Sequence, residues 1–417
     1  MMRTVLALLW MPLMARAETV ALVGGRVITL AGDPIEEGTV VLQGGKIVSV
    51  ASGKASPAGA RAIDCAGKTI TPGLVAADTR IGIVEISLET TARDNAVAGE
   101  PYEDQNHAAF RVADALNPRS TLVPVARLEG VTSSVTAPEG GLVAGQSAWI
   151  DLAAPDRARM LAEPSLAMHA NLGGDALGAA GGSRGWALVR LREMLDDART
   201  YAATKAAYDR NQSRALAGSR LDLAALGQVV RGRQPLAVHV DREADILAAL
   251  DLARDEKIRI VILGGAEAWR VGAALAAAKV PVLIDPTDNL PSSFDSLQSR
   301  LDNAARLAQA GVRVGITLRG ESHNARTLRQ RAGLAAAWGM PHDEALAAAS
   351  RNVAQAFGME ARYGTLEPGR VANVVVWTGD PLEISTQVAH VFVGGEEMPL
   401  VSRQTELRER YRVVPPK

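Results

Sequence analysis

The chain has a single cysteine among its 417 residues, and it has almost no excess of charge of either sign. Cys65 has no partner for an internal disulfide, so an oxidising compartment would add no covalent cross-link to the fold. The formal net charge is −1, and the lysines and arginines are scattered, which leaves no basic face for nucleic acid. Nucleic acid is therefore not an expected partner.

The sequence also has no apolar run long enough to cross a membrane near its N terminus. The apolar stretch 4–14 is shorter than the roughly 20 residues needed to span a bilayer. Arg3 precedes this stretch and Ala15-Arg16-Ala17 follows it, which is the three-part pattern of a cleavable signal peptide. We expect residues 1–17 to be removed and the mature protein to start at Glu18, in the periplasm or outside the cell. A membrane anchor or a buried N-terminal strand is the alternative.

The remaining composition is that of an ordinary globular protein. Hydrophobic residues make up 47% of the chain, with 39 glycines and 20 prolines, which excludes disordered and collagen-like classes. The length allows one large α/β domain beside a smaller one.

Short β-strands are predicted at both ends of the mature chain. In the N-terminal part, β-branched runs are separated by Gly24-Gly25, Asp33-Pro34 and Gly44-Gly45, which are typical of hairpin turns. Two more strands are predicted at 372–377 and 388–393.

Neither terminal set has enough strands to close a core alone. We therefore predict one composite β-sandwich built from residues 18–70 and 361–400. Residues 401–417 are expected to form a charged, solvated tail.

The middle of the chain alternates between strand and helix patterns. Repeating units of this length imply a parallel sheet, and a closed (β/α)8 TIM-like barrel over residues 71–360 is the expected α/β architecture. The clearest single helix is predicted over 187–208, where apolar residues form one stripe. The other predicted elements are strands at 236–240, 258–263, 281–284 and 312–318 and helices at 243–254, 267–278 and 303–310.

Three segments carry a resemblance to a known family. They are Thr71–Gly82 (TPGLVAADTRIG), Asp343–Gly358 (DEALAAASRNVAQAFG) and Tyr363–Asp380 (YGTLEPGRVANVVVWTGD). The first resembles PGLIDxHxHxG and the last resembles GSLEPGKxADLVVWDGDP, which are signatures of the amidohydrolase superfamily, with Asn373 where that family usually has Asp. The middle segment is similar to the family's EALxxxTxNPAxxLG helix. The resemblance is to imidazolonepropionase-like and related metal-dependent hydrolases.

This resemblance implies a hydrolase of carbon–nitrogen bonds, in non-peptide or cyclic amides. Such enzymes use one or two divalent metals, usually zinc, at the C-terminal mouth of the barrel. The partner implied is a small-molecule substrate or ligand, and a homo-oligomer or a hetero-oligomer with a related amidohydrolase is a further option.

Several metal positions of the family are replaced in this chain. The two histidines of the first strand correspond to Asp78 and Arg80, and Gly264 stands where the sixth-strand histidine is expected. His239 matches the fifth-strand histidine, and His169 matches the position of the bridging lysine. This divergent inventory predicts that zinc is not held tightly.

The last barrel strand also lacks its expected catalytic aspartate. After 312–318 the chain continues as Arg319-Gly320-Glu321. A guanidinium has no available lone pair, so Arg80 cannot bind a metal ion. Because Asp78 and Arg80 share strand parity, we predict that they face the same way and form an ion pair in the old metal site.

Three functions remain open on this evidence. One is a C–N hydrolase with a single metal on Asp78, His239 and also His169, and with Glu321 or another nearby carboxylate as base. Another is a pseudoenzyme that binds a small ligand or pairs with an active relative. In the third, Arg80 polarises a carbonyl without a metal. The substrate is not predicted, because the candidate specificity loops, Glu89–Ala109 and Asn171–Gly185, contain no motif that identifies one.

Overall fold

The computed structural model describes residues 18–97, 105–174, 178, 182–320 and 322–412. The predicted signal peptide, residues 1–17, lies outside the described residues, and so does Glu321. The described chain is a mixed α/β protein. No described helix is both long enough and apolar enough to cross a membrane.

The strands form one set at the two ends of the chain and another in the middle. In chain order they are β1 (Thr19–Val27), β2 (Ile35–Gln43), β3 (Lys46–Ser52), β4 (Arg61–Asp64), β5 (Thr69–Pro72), β6 (Leu74–Thr79), β7 (Val131–Thr136), β8 (Val143–Gln146), β9 (Ala148–Asp151), β10 (Leu161–Glu163), β11 (Met168–Asn171), β12 (Leu236–Val240), β13 (Ile260–Gly264), β14 (Val282–Ile284), β15 (Val314–Ile316), β16 (Val374–Trp377), β17 (Val388–Val393) and β18 (Glu396–Met398).

Most of the helices lie between the middle strands. They are α1 (Leu122–Arg127), α2 (Arg157–Met160), α3 (Arg184–Tyr208), α4 (Arg220–Val230), α5 (Glu243–Glu256), α6 (Gly272–Ala277), α7 (Asn303–Gln309), α8 (Leu328–Ala337), α9 (His342–Ala348), α10 (Arg351–Ala356) and α11 (Arg403–Tyr411).

Both ends of the chain contribute to one eight-stranded sheet. Its order is β18-β17-β16-β5-β1-β2-β3, and β4 pairs with β1. The two ends meet where β16 runs antiparallel to β5, with Val374 opposite Pro72. Their apolar side chains share a buried cluster that includes Leu22, Ile70 and Phe392. The prediction that the two ends fold together is confirmed at the level of this sheet, whereas its packing as a sandwich stays a prediction.

One of the predicted hairpin turns is wrong. Gly24-Gly25 lies inside β1, which continues past it to Val27. The pairing of β1 with β2 shifts register on both sides of Gly25. Gly24 has a φ of +77°, so the glycine pair makes a bulge within one strand rather than a turn between two.

The middle strands form two sheets. The four-stranded sheet has the order β10-β9-β7-β6, and the six-stranded sheet has the order β15-β14-β13-β12-β11-β8. From β11 to β15 all neighbouring strands are parallel, as the alternating pattern predicts.

The region of β8 and β9 departs from the predicted all-parallel arrangement. β9 is antiparallel to β7, and β8 is antiparallel to β11. Residues 137–147, which include β8, join β7 to its partner β9, and a parallel connection needs a crossover of a dozen or more residues. The short connection therefore favours the antiparallel pairing of β9 with β7.

The two middle sheets touch along a seam between their first and last strands. Ala77 forms a parallel bridge with Thr317, and the amide of Leu318 donates to the Ala77 carbonyl at 3.1 Å. The regular ladders of the described chain do not form one closed ring. The closed eight-stranded barrel therefore stays a prediction.

Most of the predicted helices are present with shifted ends. Helix α3 covers the predicted 187–208, and α5 covers 243–254. The predicted helix at 267–278 is divided into a 3₁₀ turn at Ala268–Val271 and α6. Helix α11 has no buried residues, as expected for a solvated tail.

Candidate functional site

The first part of the site is an ion pair at the end of β6. Asp78 is buried and has a φ of +51°, a left-handed conformation that Asp tolerates better than most residues. Nη1 of Arg80 lies 3.0 Å from Oδ1 of Asp78 and also donates to the Thr79 carbonyl at 3.0 Å. The predicted ion pair is confirmed. Strand parity does not explain it, because Arg80 lies beyond the end of β6 and Asp78 leaves the extended conformation.

The second part consists of two histidines on neighbouring parallel strands. His169 lies on β11 and His239 on β12. Nδ1 of His169 is 3.1 Å from Nε2 of His239, which is a hydrogen-bond distance. His169 is completely buried, and its Nε2 atom has no hydrogen-bond partner among the described residues.

His239 links the two parts. Its Nδ1 atom lies 3.8 Å from Oδ2 of Asp78, which is too long for a hydrogen bond. One nitrogen of His239 therefore faces Asp78 and the other faces His169. The site is a row of three side chains in the order Asp78, His239, His169.

Burial and the arginine charge set the ionisation of these groups. Burial acts to raise the pKa of Asp78, but the nearby His239, Arg80 and His169 outweigh it and lower the pKa to about 2. Burial is the main reason that the pKa of His169 falls to about 3, and burial also lowers the pKa of His239. At neutral pH, Asp78 is therefore ionised and both imidazoles are neutral.

A second ion pair occupies the mouth of the site, and the sequence alone did not reveal it. Nη1 and Nη2 of Arg319 donate to the two carboxylate oxygens of Asp241, at 2.7 and 2.8 Å. Gly264, at the end of β13, has a φ of +101°. A Cβ atom there would lie 2.6 Å from Asp241 Oδ1 and 2.9 Å from Arg319 Nη1. The expected sixth-strand histidine position is thus filled by this ion pair.

The end of the last parallel strand offers no carboxylate among its described residues. Leu318 is buried in the apolar core, and Arg319 adopts a φ of +47°. Glu321, the predicted base, cannot be placed because it lies outside the described residues.

A cavity of about 560 Å³ opens above these groups. It is lined by Asp78, Arg80, His239, Asp241 and Arg319. Three larger cavities, of about 760, 740 and 630 Å³, are lined by none of the residues of the Asp78, His239, His169 row. The cavity of about 560 Å³ is therefore the candidate ligand site, because it is lined by Asp78 and His239.

The wall of this cavity comes partly from a loop that sequence reasoning missed. Residues 290–299 contribute Leu290 and Phe294, whose exposed fractions are 72% and 86%, together with several serines. Asp295 fixes this loop to the neighbouring wall by accepting from Gly174 N and from Arg184. The described ends of one predicted specificity loop, Asn171–Gly185, line the cavity. Part of the other predicted loop, Glu89–Ala109, lies outside the described residues.

The donor set is only partly free to hold a zinc ion. Asp78, His169 and His239 lie within 4.8 Å of one another and form a candidate metal-binding triad. A structural or catalytic zinc site ordinarily uses three or more protein ligands. Oδ1 of Asp78 is bonded to Arg80, and a single nitrogen of His239 cannot face both other members. The three side chains are thus close enough to form a metal site, but Arg80 and the His169–His239 contact compete for their ligand atoms.

Polar side chains at the carboxyl ends of parallel strands, below loops that form a cavity, are typical of barrel-type α/β enzymes. A profile described as Amidohydrolase family matches residues 201–398. An imidazolonepropionase from Sphingopyxis alaskensis is 26% identical over 387 residues, which cover 86% of this chain and 92% of that protein. The chain is thus similar to the amidohydrolase family over residues 201–398 and to an imidazolonepropionase over most of its length.

Two other similarities are to proteins that are named amidohydrolases. Amidohydrolase tasK from Hapsidospora irregularis is 36% identical over 118 residues, which cover 26% of this chain and only 12% of that protein. The crystal structure of an amidohydrolase from Thermotoga maritima MSB8 is 23% identical and has a TM-score of 0.82, covering 91% of this chain and 99% of that one. The structural similarity shows the shared fold.

Proposed function

We propose that this protein is an amidohydrolase-superfamily member whose metal-dependent hydrolysis of carbon–nitrogen bonds is impaired or lost, and that its cavity of about 560 Å³ binds a small ligand. The observation that carries the proposal is the ion pair between Arg80 and Asp78. It places a permanent positive charge next to the only carboxylate of the candidate triad.

Electrostatics supports this proposal. The side chains of Arg80 and Asp78 are 7% and 2% exposed, so water screens their charges poorly. A dication that bound beside Asp78 would be repelled by the guanidinium, which stays charged at any working pH. Arg80 therefore takes the place of the cation that a metal would supply.

The neighbouring ion pair supports the same conclusion. Arg319 and Asp241 occupy the space into which a side chain at Gly264 would project. A second metal position on this side of the cavity is thus closed by atoms of the chain itself. The described end of the last strand also provides no base for a metal-bound water.

A retained single-metal hydrolase is the second candidate. It is favoured by the close approach of Asp78, His169 and His239, and by the buried Nε2 atom of His169, which has no partner in the described chain. An ion at that nitrogen would satisfy it. In this function Glu321 would be the base.

The fold predictions that remain open belong to the same proposal. A closed (β/α)8 barrel is supported by the bridge between Ala77 and Thr317, and the terminal sheet is the proposed sandwich.

Export through cleavage before Glu18 is also proposed, because residues 1–17 have the pattern of a signal peptide. The intact mass of periplasmic protein tests it, and a mass that includes Met1 would contradict export.

An activity assay separates the two candidate functions. Purified protein is incubated with cyclic amides and dipeptides, before and after addition of zinc or manganese, and amine release is followed. We expect no metal-dependent turnover. Turnover that appears with metal and disappears in His239→Ala, while the exposed His342→Ala variant keeps it, would establish the single-metal hydrolase instead.

A further inference from the structure

We propose that Arg80 forms a binding subsite for a carboxylate group of the ligand, and that Glu139 occupies this subsite when the ligand is absent. This inference rests on the proposed function, because it concerns what the cavity binds. It adds the chemical class of the ligand, which is a small molecule with a carboxylate. It also adds a residue, Glu139, that competes with the ligand for Arg80.

Arg80 lies between two cavities. The cavity of about 560 Å³ above His239 and a smaller one of about 240 Å³ on the other side are both lined by Arg80 and Arg319. The smaller cavity is also lined by Arg93, Glu139 and Ser322. A ligand in the larger cavity can therefore direct an acidic group towards the smaller one past the Arg80 guanidinium.

The donors of Arg80 are only partly used. Nη1 donates to Asp78 and to the Thr79 carbonyl, but Nε has no hydrogen-bond partner in the described part of the chain. The side chain is 7% exposed, so this donor is buried. Buried donors in native proteins are nearly always paired, and an orphaned one needs an explanation. A ligand oxygen that bonds to Nε provides one.

Glu139 shows which group suits this position. Its Oε2 atom lies 3.4 Å from Arg80 Nε, and its Oε1 atom lies 3.4 Å from Arg93 Nη2. Both distances exceed the 2.7–2.9 Å of a good guanidinium–carboxylate bond. The Glu139 side chain is also 41% exposed. It is a loosely bound carboxylate that a better-placed one can displace.

The backbone fixes Arg80 in this position. The amide of Arg80 donates to Ser322 Oγ at 2.6 Å, and the amide of Gly320 donates to the Asp78 carbonyl at 2.7 Å. Asp78 and Arg319, on the two strand ends joined by this bond, both have positive φ. Strained backbone persists where the surrounding structure holds it, often at ligand sites.

The charges nearby favour a carboxylate over a phosphate. A guanidinium can bind either group through two parallel hydrogen bonds. Arg80 already shares its charge with the ionised Asp78, and Asp241 lies in the same cavity wall. A dianion would be repelled more strongly by these carboxylates than a monoanion.

The test measures binding of N-acetylglycine, N-acetylglycinamide and inorganic phosphate by calorimetry, with wild type and variants of the full mature chain. Glu139→Gln removes the competing charge and should bind N-acetylglycine about tenfold more tightly than wild type. Arg80→Lys keeps the charge but loses the planar pair of donors, so it should reverse this gain when combined with Glu139→Gln. The amide should bind at least about tenfold more weakly than the acid.

Glu85→Gln is the matched control. Glu85 lines the same small cavity, but its carboxylate accepts from Asn117 and Thr121 rather than from Arg80. It should leave the affinity for N-acetylglycine unchanged. Equal gains in both glutamine variants, tighter binding of phosphate than of the acid, or no binding of the acid by Glu139→Gln would overturn the proposal. Metal content and turnover are separate readouts, so failure of the proposed function would be recognised independently.

Discussion

The guanidinium of Arg319 binds both carboxylate oxygens of Asp241, at 2.7 and 2.8 Å, directly beside the position that a side chain at Gly264 would occupy. The ion pair therefore occupies the space that a histidine side chain at position 264 would need. A side chain at position 264 would have to displace the Asp241–Arg319 pair before it could act as a metal ligand.

The first prediction concerns this glycine. Gly264→Ala should lower the free energy of unfolding by about 2–4 kcal/mol, since the new Cβ is both strained and overpacked. Gly67→Ala is the control, because Gly67 has a φ of +71° but no atom lies within 4 Å of the place a Cβ would take. It should cost only about 1–2 kcal/mol. Urea unfolding measures both, and equal losses would show that Arg319 and Asp241 do not fill the site.

The second prediction concerns the pH dependence of stability. Burial lowers the pKa of His169 to about 3, whereas an unfolded histidine has a pKa of about 6.5. Between these values the unfolded chain binds more protons than the folded one. The stability contribution is therefore complete above pH 6.5 and is lost as the pH falls towards 3. His169→Asn should flatten this dependence.

Urea unfolding at several pH values tests the role of His169. The control His342→Gln removes a histidine outside the site, whose side chain is 44% exposed, so any larger change in slope in His169→Asn is due to the buried position. An unchanged slope in His169→Asn would mean that another group causes the acid sensitivity.

The third prediction concerns the contact between the terminal sheet and the middle strands. Nδ2 of Asn373 donates to Oδ1 of Asp151 at 2.9 Å, and Tyr363 donates to the other oxygen at 2.8 Å. Asn373→Asp, which introduces the residue usual in the family, would place two buried carboxylates together. It should destabilise the protein by about 2–4 kcal/mol at neutral pH.

Exchanging both residues separates charge repulsion from other causes. The double variant Asp151→Asn/Asn373→Asp again pairs one amide with one carboxylate and should recover part of the lost stability. A double variant as unstable as the sum of the single ones would show that the two residues are not coupled.

The fourth prediction concerns the two ends of the chain. Truncation after Gly358 removes β16, which pairs with β5, and uncovers the cluster around Ile70. The truncated protein should aggregate, because it exposes apolar surface and an unpaired strand edge. Deletion of residues 403–417 removes α11, which has no buried residues, and should leave a soluble, cooperatively folding protein. A soluble monomer after the longer truncation would contradict a shared terminal sheet.

The sequence was sufficient for features that depend on local pattern. The βα units from β11 to β15 and the terminal strands follow from periodicity and turn residues. The Asp78–Arg80 pair was predicted from strand parity, but the left-handed backbone at Asp78 brings it about instead. The bulge at Gly24-Gly25 was mistaken for a turn, because glycine pairs occur in both.

Features that depend on distant contacts could not be predicted in this way. Asp241 and Arg319 are 78 positions apart, and no local pattern links them. His169 and His239, 70 positions apart, were suggested by family resemblance, but their contact of 3.1 Å follows from the pairing of β11 with β12. The loop that supplies Leu290 and Phe294 has no periodicity that would indicate a cavity wall.

The most direct test of the central claim is the number of metal ions per chain. Zinc, manganese and iron are measured by elemental analysis in wild type and in the Asp78→His/Arg80→His double variant, after dialysis against a weak chelator. We expect far less than one equivalent in wild type, because Arg80 opposes a dication beside Asp78. The double variant should contain more metal without gaining activity. A wild-type protein that retains one full equivalent would contradict the account and identify Asp78, His169 and His239 as a working metal site.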